Sequence, residues 1–335
     1  MIWYRDKKEN DPYIDLWRRR DWLYPFENSE RRLFPLIITV EPTNICQNNC
    51  LYCCRRLMKR KLGYLSFETM EKVAEEAAKH KSAIRHGGFG EPLIHPQIID
   101  IVAITGRHDV LTTIFTNGQY LTEDMMSSFI ENGLNEIRFS SSGISPSEHN
   151  DIRLYSDFDR DFDEKIMMAY RIKKEMRSEK PFLTAFTHVL DYKSNEFKNN
   201  VKAYKDKYLQ YCDKVDIDLT MYSRVKHLGN AIELHKKQNI KEKHEACVTL
   251  FLKNIVYWNG DVFACDLAYN FEESHYLGNI LNDNFSIEEA YNSSKIKKLR
   301  QNLCFNLYHN QYELCENCYS NTTKWEDKEW WLNKA

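Results

Sequence analysis

The sequence lacks long apolar runs, an export signal and an excess of charge of one sign. No apolar run approaches the ~18 residues that a helix needs to cross a bilayer, and residues 1–21 are too polar for a secretory signal peptide. The net charge of −2 gives no support for nucleic-acid binding through bulk electrostatics. Internal repeats and low-complexity tracts are also missing. We therefore expect a cytoplasmic protein with neither a membrane nor nucleic acid as its partner.

What the sequence does contain is a large apolar fraction and many cysteines. Its 335 residues are 42% hydrophobic and 29% charged, enough for one large domain and a smaller one. Ten cysteines in a chain without an export signal predict reduced thiols. Clustered thiols in that setting indicate a metal site or catalysis rather than a disulfide framework.

Apolar, strand-like runs alternate with helical patterns from residue 34 to about residue 222. Ser66 and Thr122 are predicted N-caps of two helices, and Gly133 suits the C′ position that ends the second. We predict an α/β fold, a partial (β/α)6 TIM-like barrel of parallel strands. The six predicted strands are residues 34–40, 83–88, 111–116, 135–141, 182–190 and 215–222.

After about residue 240 the pattern changes to a small β-hairpin followed by a helix. Asn259-Gly260 is a strong hairpin-turn signal between two short strands. Ser286 and Glu289 form a capping box that predicts a helix over residues 286–303. The predicted segments are an N-terminal extension (1–33), the barrel (34–240) and a smaller C-terminal unit with the tail (241–335).

Four cysteines lie directly after the first predicted strand, in CQNNCLYCC. Cys46, Cys50 and Cys53 have the spacing C-x3-C-x2-C. Three thiolates can hold three corners of a [4Fe–4S] cluster and leave one iron open for a small molecule. One alternative is a zinc site that pairs Cys50 and Cys53 with the later CENC motif and leaves Cys46 idle. Another is Cys54 as a fourth ligand, which its adjacency to Cys53 disfavours.

Small and polar residues follow the next three predicted strands, in GGFGEP (87–92), TNG (116–118) and SSSG (140–143). In a parallel α/β barrel, the loops that follow the strands gather at one end, where active sites are built. We therefore expect these three loops and the cysteine loop to form one site.

EPTNICQNNCLYC followed by GGFGEPLIHP, TNG and RFSSSG resembles the radical S-adenosylmethionine (SAM) superfamily over residues 34–222. The match extends to strand order as well as motif. The resemblance implies that Cys46, Cys50 and Cys53 bind a [4Fe–4S] cluster whose open iron binds the amino and carboxylate groups of SAM. It also implies an external reductant such as flavodoxin or ferredoxin.

The resemblance places four further residues around the adenine and the methionyl group of SAM. Tyr52 matches an aromatic position that flanks the adenine. Gly88, Gly90 and Glu91 match the segment that runs beside the methionyl amino group, where glycines allow close backbone approach.

Three more residues are implied at the ribose and the carboxylate of SAM. Ser140 and Ser142 match positions that present hydroxyl or carboxylate groups to the ribose, although an Asp is common at the position of Ser142. Arg153 matches a frequent contact of the SAM carboxylate, and a surface arginine on a helix is the alternative.

A second set of cysteines lies in the C-terminal unit. Cys247 and Cys265 flank Gly260, whose turn returns the chain, and Cys315 and Cys318 form a C-x2-C pair. Four thiolates would complete a closed [4Fe–4S] site or a zinc site. This segment resembles the SPASM/Twitch extension of radical SAM enzymes, which implies an auxiliary [4Fe–4S] cluster. The longer C-x2-C-x5-C-x3-C run of the two-cluster form is absent, so the segment is more similar to the one-cluster Twitch type.

The resemblance implies an enzyme that cleaves SAM reductively to a 5′-deoxyadenosyl radical and removes a hydrogen atom from a substrate C–H bond. An auxiliary cluster that accepts an electron favours a two-electron oxidation. A thiol that returns a hydrogen atom would instead give epimerisation. Cys54, Cys212 and Cys304 are the candidate thiols, although a small buried side chain is the commoner role of such cysteines.

Two substrate classes compete, a small polar molecule and a ribosomal peptide. Peptide-modifying relatives often carry an N-terminal leader-binding domain, whereas about 33 residues precede the first predicted strand here. We therefore expect a sugar, polyol or aminocyclitol, with a peptide as the alternative. A non-catalytic Fe–S or zinc scaffold is a second alternative, which the SAM-contact motifs disfavour.

Overall fold

Ten short strands form one sheet in the described part of the chain. The computed structural model describes residues 3–5, 11–13, 34–189, 197–218, 249–304 and 311–316. In chain order the strands are β1 (Trp3–Arg5), β2 (Ile37–Val40), β3 (Ala83–His86), β4 (Thr112–Thr116), β5 (Glu136–Ser142), β6 (Phe182–His188), β7 (Lys214–Asp218), β8 (Lys253–Val256), β9 (Asp261–Phe263) and β10 (Tyr276–Asn279).

The strands lie side by side in the order β1-β7-β6-β5-β4-β3-β2-β8-β9-β10. Strands β2 to β7 pair in parallel with their neighbours in sequence, as the six predicted units require. The sheet does not close, because β1 pairs with β7 and β8 pairs with β2 at the two ends of this series. The predicted α/β fold with a partial TIM-like barrel is therefore confirmed.

The helices connect the parallel strands and continue into the C-terminal part. None of the helices in the described ranges combines the length and the apolar character needed to span a bilayer. In chain order they are α1 (Phe67–His80), α2 (Ile98–Arg107), α3 (Glu123–Glu131), α4 (Pro146–Ile152), α5 (Glu164–Glu175), α6 (Phe197–Tyr208), α7 (Thr249–Leu252), α8 (Ile287–Tyr291), α9 (Ser294–Cys304) and α10 (Glu313–Glu316).

Local sequence explains where the first helices begin and end. The Ser66 hydroxyl accepts a hydrogen bond from the Thr69 N–H (3.1 Å), and Thr122 caps α3 in the same way through the Met125 N–H. Gly133 follows α3 with φ +75°, the left-handed conformation that a glycine adopts without strain. Both predicted N-caps and the predicted C′ glycine therefore occupy those positions.

The two faces of the sheet differ in character because successive side chains of a strand point to opposite sides. The outer face packs on the helices and forms the main apolar core, for example through Ile38, Ile114 and Ile137. The inner face is polar. Its residues in the middle strands are Thr39, Arg85, Thr113, Phe115, Glu136, Arg138, Ser140, Ser142, Thr184, Phe186, His188, Lys214 and Asp216.

The C-terminal hairpin extends this sheet, which the sequence did not predict. Strand β8 pairs in parallel with β2, and β9 turns back on β8 through Gly260, whose φ is +85°. The predicted helix over 286–303 is wrong as a single helix, since it divides into α8 and α9 at Asn292 and Ser293. Asn292 caps α8 through the Glu288 carbonyl (2.6 Å), and the Ser293 hydroxyl accepts from the first turn of α9. The domain boundary at residue 240 lies outside the described residues and stays a prediction.

Candidate active site

The cysteine loop leaves the carboxyl end of β2 and is held by backbone hydrogen bonds to two neighbouring loops. The Leu51 N–H donates to the carbonyl of Ile152 (3.1 Å), at the end of α4. The Glu91 N–H donates to the carbonyl of Ile45 (2.9 Å), so the GGFGEP loop runs along the start of the cysteine loop. The loops expected at one rim therefore do meet there.

The three thiols of the C-x3-C-x2-C motif are half-buried and influence one another. Burial, with smaller effects from Glu91, Cys50 and Cys53, raises the pKa of Cys46 to about 12, and burial raises that of Cys53 to about 11. Thiolates at these positions are therefore costly unless a cation binds them. Among the described residues no three Cys, His, Asp or Glu side chains are gathered closely enough to hold a metal ion. The fit of this loop to a cluster rests on its donor chemistry, three neighbouring thiols.

Two glycines in the GGFGEP loop allow this close approach. A Cβ on Gly90 would lie 2.0 Å from the carbonyl oxygen of Thr43, in the backbone that leads into the cysteine loop. Gly88 has φ +114°, and a Cβ there would lie 3.0 Å from the side chain of Glu41. Both predicted glycines therefore face backbone or side chains that leave no room for a substituent.

Glu91 links the loop after β3 to the loop after β4. Its buried carboxylate accepts hydrogen bonds from the Thr116 hydroxyl (2.7 Å), the Asn117 N–H (2.8 Å) and the Leu93 N–H (3.1 Å). Burial raises the pKa of Glu91. The side chain that the resemblance places beside the methionyl group thus fixes the TNG turn in this structure.

Four predicted cofactor residues meet between the cysteine loop and the end of β5. The Arg153 guanidinium donates to Ser140 Oγ (2.6 Å), Ser142 Oγ (2.9 Å) and Tyr52 Oη (3.3 Å), and Tyr52 Oη lies 2.9 Å from Ser142 Oγ. Arg153 is 4% exposed. It also donates to the carbonyl of Ser141 (3.2 Å), and within the described part of the chain it has no acidic partner. A buried cation is therefore surrounded by neutral oxygens.

Three rim residues were not predicted from the sequence. Gln47 Nε2 donates to Asn117 Oδ1 (3.0 Å) and to Gln119 Oε1 (2.5 Å), which ties the cysteine loop to the TNG turn. The ring centre of His188 lies 5.5 Å from the ring centre of Tyr52. The alternation of β6 could have placed His188 on the inner face, whereas the cysteine spacing carries no signal for Gln47 or Gln119.

Below the rim, the inner face carries buried charge pairs. Arg138 contacts Glu136 (3.1 Å) and Asp216, and its guanidinium carbon lies 5.0 Å from the ring centre of Phe115 and 5.1 Å from that of Phe186. The Glu136 carboxylate also accepts from the hydroxyls of two threonines, Thr113 and Thr184.

The amino ends of the strands are covered by residues 11–13. Tyr13 packs with Leu36, Ala83 and Leu252, and its hydroxyl contacts Thr113. Lys214 pairs there with Asp11 (2.8 Å). Residues 11–13 therefore cover the inner face at the end opposite the cysteine loop.

An ion-paired clasp connects the cysteine loop to the C-terminal unit. Arg60 donates two hydrogen bonds of 2.9 Å to the carboxylate of Glu41, and its guanidinium stacks 3.7 Å from the ring centre of Tyr257. Its Nε donates to the carbonyl of Tyr269 (2.9 Å). On the inner face, Asp266 contacts Arg85 (3.0 Å) and also Lys253.

Two of the four predicted auxiliary ligands are described. Cys265 and Cys315 are buried in one apolar cluster with residues of α7, α8 and α9. Cys247 and Cys318 lie outside the described residues. The structure therefore brings one cysteine of each predicted pair into the same core.

The three leftover cysteines have different surroundings. Cys54 is buried against Phe89 and Tyr269, near the rim. Cys212 is buried in the helix-side core at the amino end of β7, at the opposite end of the strands from the cysteine loop. That position argues against Cys212 as a hydrogen-atom donor. Cys304 ends α9, and its side chain is outside what the structure describes.

Two solved structures share this fold over most of their length. BtrN in complex with AdoMet and 2-DOIA aligns with a TM-score of 0.56 and 17% identity, over 86% of this chain and 94% of that one. Histidine-tagged anSMEcpe with bound AdoMet aligns with a TM-score of 0.56 and 16% identity, over 87% of this chain and 91% of that one. At such identities the likeness shows the fold alone.

Curated relatives are similar over shorter segments. A tungsten-containing aldehyde ferredoxin oxidoreductase cofactor-modifying protein of Pyrococcus furiosus is 27% identical over 144 residues, 42% of this chain and 40% of the relative. A PqqA peptide cyclase of Gluconobacter oxydans is 29% identical over 107 residues, 32% of this chain and 30% of the relative. The chain thus matches less than half the length of these relatives.

Family models cover both predicted halves of the chain. The model of the radical SAM superfamily matches residues 40–195, and the SPASM model, described as an iron-sulfur cluster-binding domain, matches residues 247–319. The expected cofactors of such an enzyme, a [4Fe–4S] cluster, SAM and auxiliary iron–sulfur, are confirmed at the level of the family. The chain belongs to the radical SAM superfamily, as a radical SAM enzyme with a C-terminal SPASM domain.

Proposed function

We propose that this protein uses SAM to remove a hydrogen atom from a C–H bond of a small polar substrate, in a net two-electron oxidation. Cys46, Cys50 and Cys53 would hold the first cluster, and Cys247, Cys265, Cys315 and Cys318 the auxiliary one. Bound at the first site and reduced, a [4Fe–4S] cluster supplies the electron that cleaves SAM to methionine and a 5′-deoxyadenosyl radical.

The buried guanidinium of Arg153 is the observation that carries this proposal. A buried charge without an ionic partner is costly, and a neutral environment of hydroxyls compensates it only in part. A carboxylate that binds against Arg153 would supply the acidic partner that it lacks among the described residues. Because Arg153 lies beside Tyr52 of the cysteine loop, such a carboxylate would stand next to the three thiols, as the methionyl group of SAM requires.

The surrounding residues would hold and enclose the rest of the cofactor. Burial raises the pKa of Tyr52 to about 12, so its phenol stays protonated and adds no competing negative charge. Gly88 and Gly90 bring backbone close to the cysteine loop, and Glu91 fixes the TNG turn that borders it. These residues act by orienting SAM and by excluding water from the site.

The inner face supports a small polar substrate. It combines a buried ion pair at Arg138 and a half-buried one at Arg85 with the aromatic rings of Phe115 and Phe186, and it is covered at the far end by Tyr13. Such a surface binds hydroxyl, amino or carboxyl groups through directed hydrogen bonds and disfavours an apolar substrate. Sugars, polyols and aminocyclitols fit this description.

A peptide is the second candidate substrate. Two kinds of curated relatives are named PqqA peptide cyclase and mycofactocin maturase MftC, with matches over 107 and 134 residues. A peptide would enter from the rim, since Tyr13 covers the amino ends of the strands.

An acidic electron-transfer protein such as flavodoxin or ferredoxin is the proposed reductant. No acidic residue occurs between Glu41 and Glu68, and the basic segment, residues 55–64, follows the last cysteine of the loop directly. Arg56, Lys59 and Lys61 of this segment are exposed, together with Leu62 (60%) and Tyr64 (44%). Exposed cations mixed with apolar side chains suit a small, transient and salt-sensitive interface.

Product analysis tests the reaction. Anaerobically reconstituted protein should release 5′-deoxyadenosine from SAM under dithionite, Cys50→Ala should not, and Cys212→Ala serves as the matched control. Deuterium from a labelled polyol should appear in 5′-deoxyadenosine, whereas transfer only from a labelled peptide would favour the second candidate. Bound iron and sulfide without any binding or cleavage of SAM would refute the proposal, and zinc without sulfide would favour the scaffold.

The reductant is tested separately. The double variant Arg56→Glu, Lys61→Glu should slow turnover driven by reduced flavodoxin or ferredoxin and weaken its dependence on salt. Turnover driven by dithionite should be unchanged, because a small reductant does not need the basic segment. Equal loss with both reductants would contradict this docking surface.

A further inference from the structure

His275 contacts a predicted cluster ligand that is distant in sequence. It ends a short 3₁₀ turn, Glu273–His275, immediately before β10 and is completely buried. Its Nε2 lies 3.2 Å from Cys315 Sγ, and its Nδ1 lies 2.8 Å from the Ser274 hydroxyl. Both nitrogens of the ring are therefore within hydrogen-bond distance of one partner each.

The backbone keeps His275 close to the second predicted ligand as well. The Ala264 N–H donates to the His275 carbonyl (2.9 Å), and Ala264 directly precedes Cys265. The imidazole thus stands in the core in which Cys265 and Cys315 are buried. The alternative is a buried histidine with a purely structural role, whose nitrogens hydrogen-bond to whichever groups are near. Contact with the sulfur of a predicted cluster ligand favours a role at the cluster site instead.

Which nitrogen of His275 carries the donated proton depends on whether Cys315 is a free thiol or a sulfur bound to iron. A neutral imidazole has one N–H donor and one acceptor nitrogen. A Cys315 thiol can donate its S–H to Nε2 or accept from it, so both tautomers of His275 are compatible with a thiol. A sulfur that is bound to iron has no hydrogen and can only accept. Ser274 can then donate to Nδ1, because a hydroxyl rotates to either role.

We propose that His275 donates a hydrogen bond from Nε2 to the sulfur of Cys315 and so orients this ligand and raises the reduction potential of the auxiliary cluster. This inference rests on the proposed function, in which Cys315 is an auxiliary ligand. Hydrogen bonds to cluster sulfurs stabilise the reduced, more negative state. Partners of metal ligands also hold them in position, and their loss typically weakens metal binding about ten- to a hundredfold. His275 is thus a positioning residue for electron acceptance by the auxiliary site.

The experiment isolates the auxiliary cluster in the full chain. A parent variant with Cys46, Cys50 and Cys53 changed to Ala leaves the auxiliary site as the remaining predicted cluster site. In this parent, His275→Leu removes the donor at similar volume, and His275→Gln retains an N–H donor. The measurements are the midpoint potential from a redox titration followed by electron paramagnetic resonance, and the rate of iron loss to a chelator.

The inference predicts opposite behaviour for the two His275 variants. We expect His275→Leu to lower the midpoint potential and to speed iron loss about tenfold or more, and His275→Gln to recover most of both. His86→Leu, at a buried histidine on the outer face, is the matched control and should change neither. An intact cluster with unchanged potential and iron loss in His275→Leu overturns the inference alone. A parent that binds no iron and sulfide overturns both the auxiliary site and the inference.

Discussion

The clasp between Arg60 and Glu41 allows a quantitative test of how the two ends of the cysteine loop are held together next to the C-terminal unit, which Arg60 contacts at Tyr257 and Tyr269. The Glu41 side chain is completely buried and that of Arg60 is 13% exposed, and they share two hydrogen bonds of 2.9 Å. Glu41 also accepts from the Phe89 N–H (3.3 Å), inside the GGFGEP loop. Among the described residues, removal of Arg60 therefore leaves this buried carboxylate with one backbone donor, the Phe89 N–H.

The magnitude follows from this burial. Breaking a buried ion pair by removing one partner costs about 3–5 kcal/mol, because the remaining charge has no compensation. Arg60 also stacks on Tyr257 at 3.7 Å, and a desolvated contact of this kind contributes about 2 kcal/mol. Since these contacts overlap, we expect a total loss of about 3–5 kcal/mol for Arg60→Met.

The assay is anaerobic urea unfolding of the reconstituted full chain, followed by circular dichroism. Arg171→Ala is the control, because its ion pairs with Glu123 and Glu175 are exposed to solvent and their loss should change the free energy of unfolding little. The double variant Glu41→Gln, Arg60→Met should recover part of the loss, since no buried charge remains. A loss for Arg60→Met no larger than that for Arg171→Ala would refute the reasoning.

Three further predictions concern the rim and its support. Gly90→Ala should destabilise the fold by about 1–3 kcal/mol and weaken SAM binding, because the new Cβ would meet the Thr43 carbonyl oxygen; Gly87→Ala, whose Cβ would lie in ordinary contact 3.7 Å from Phe115 Cβ, is the control in unfolding and SAM titrations. Arg153→Met should raise the dissociation constant of SAM about tenfold or more in calorimetry, and Arg153→Lys should not restore it, since one ammonium cannot replace the forked contacts. Burial, with a smaller effect of His95, lowers the pKa of His86 to about 3, so between pH 6.5 and pH 3 the unfolded chain binds a proton that the folded chain does not. The free energy of unfolding should therefore decrease by up to about 1.4 kcal/mol for each unit by which the pH is lowered, and His86→Phe should remove this component from unfolding curves measured across that range.

The predictable part of the fold is the part that local sequence determines. The strands β2 to β7 and the caps at Ser66 and Thr122 follow from periodicity and from single side chains that satisfy backbone donors. The meeting of the cysteine, GGFGEP and TNG loops follows from parallel topology, which places the carboxyl ends of neighbouring strands at one edge. Tyr52, Ser140, Ser142 and Arg153 were named from the resemblance, and the structure brings them within hydrogen-bond distance.

What could not be predicted depends on contacts between distant segments. The Arg60–Glu41 clasp joins residues 19 positions apart through a buried ion pair, and no periodic pattern marks it. His275 and Cys315 are 40 positions apart. To predict the pairing of β8 with β2, one must know that the β2 edge of the parallel sheet is free, which is a property of the whole fold. The break at Asn292 was missed because an Asn can either continue a helix or end it by hydrogen bonding to nearby backbone groups, and the sequence alone does not show which occurs.

The pairing of β8 with β2 has a consequence for electron transfer between the two proposed cluster sites. Strand β2 leads into the cysteine loop, and β8 leads through the hairpin to Cys265, so the register Val40 to Val256 fixes the starting points of both segments in one sheet. The Arg60 clasp, together with the hydrogen bond from the Lys59 N–H to Asn270 (2.6 Å), joins the segments again beyond the sheet. The two segments share a backbone ladder and the hydrogen bonds that Lys59 and Arg60 donate to Asn270 and Tyr269, so separating them would break all of these hydrogen bonds. A substrate bound on the inner face would therefore face SAM and the auxiliary site at a separation set by the fold, without a closing motion of one half on the other.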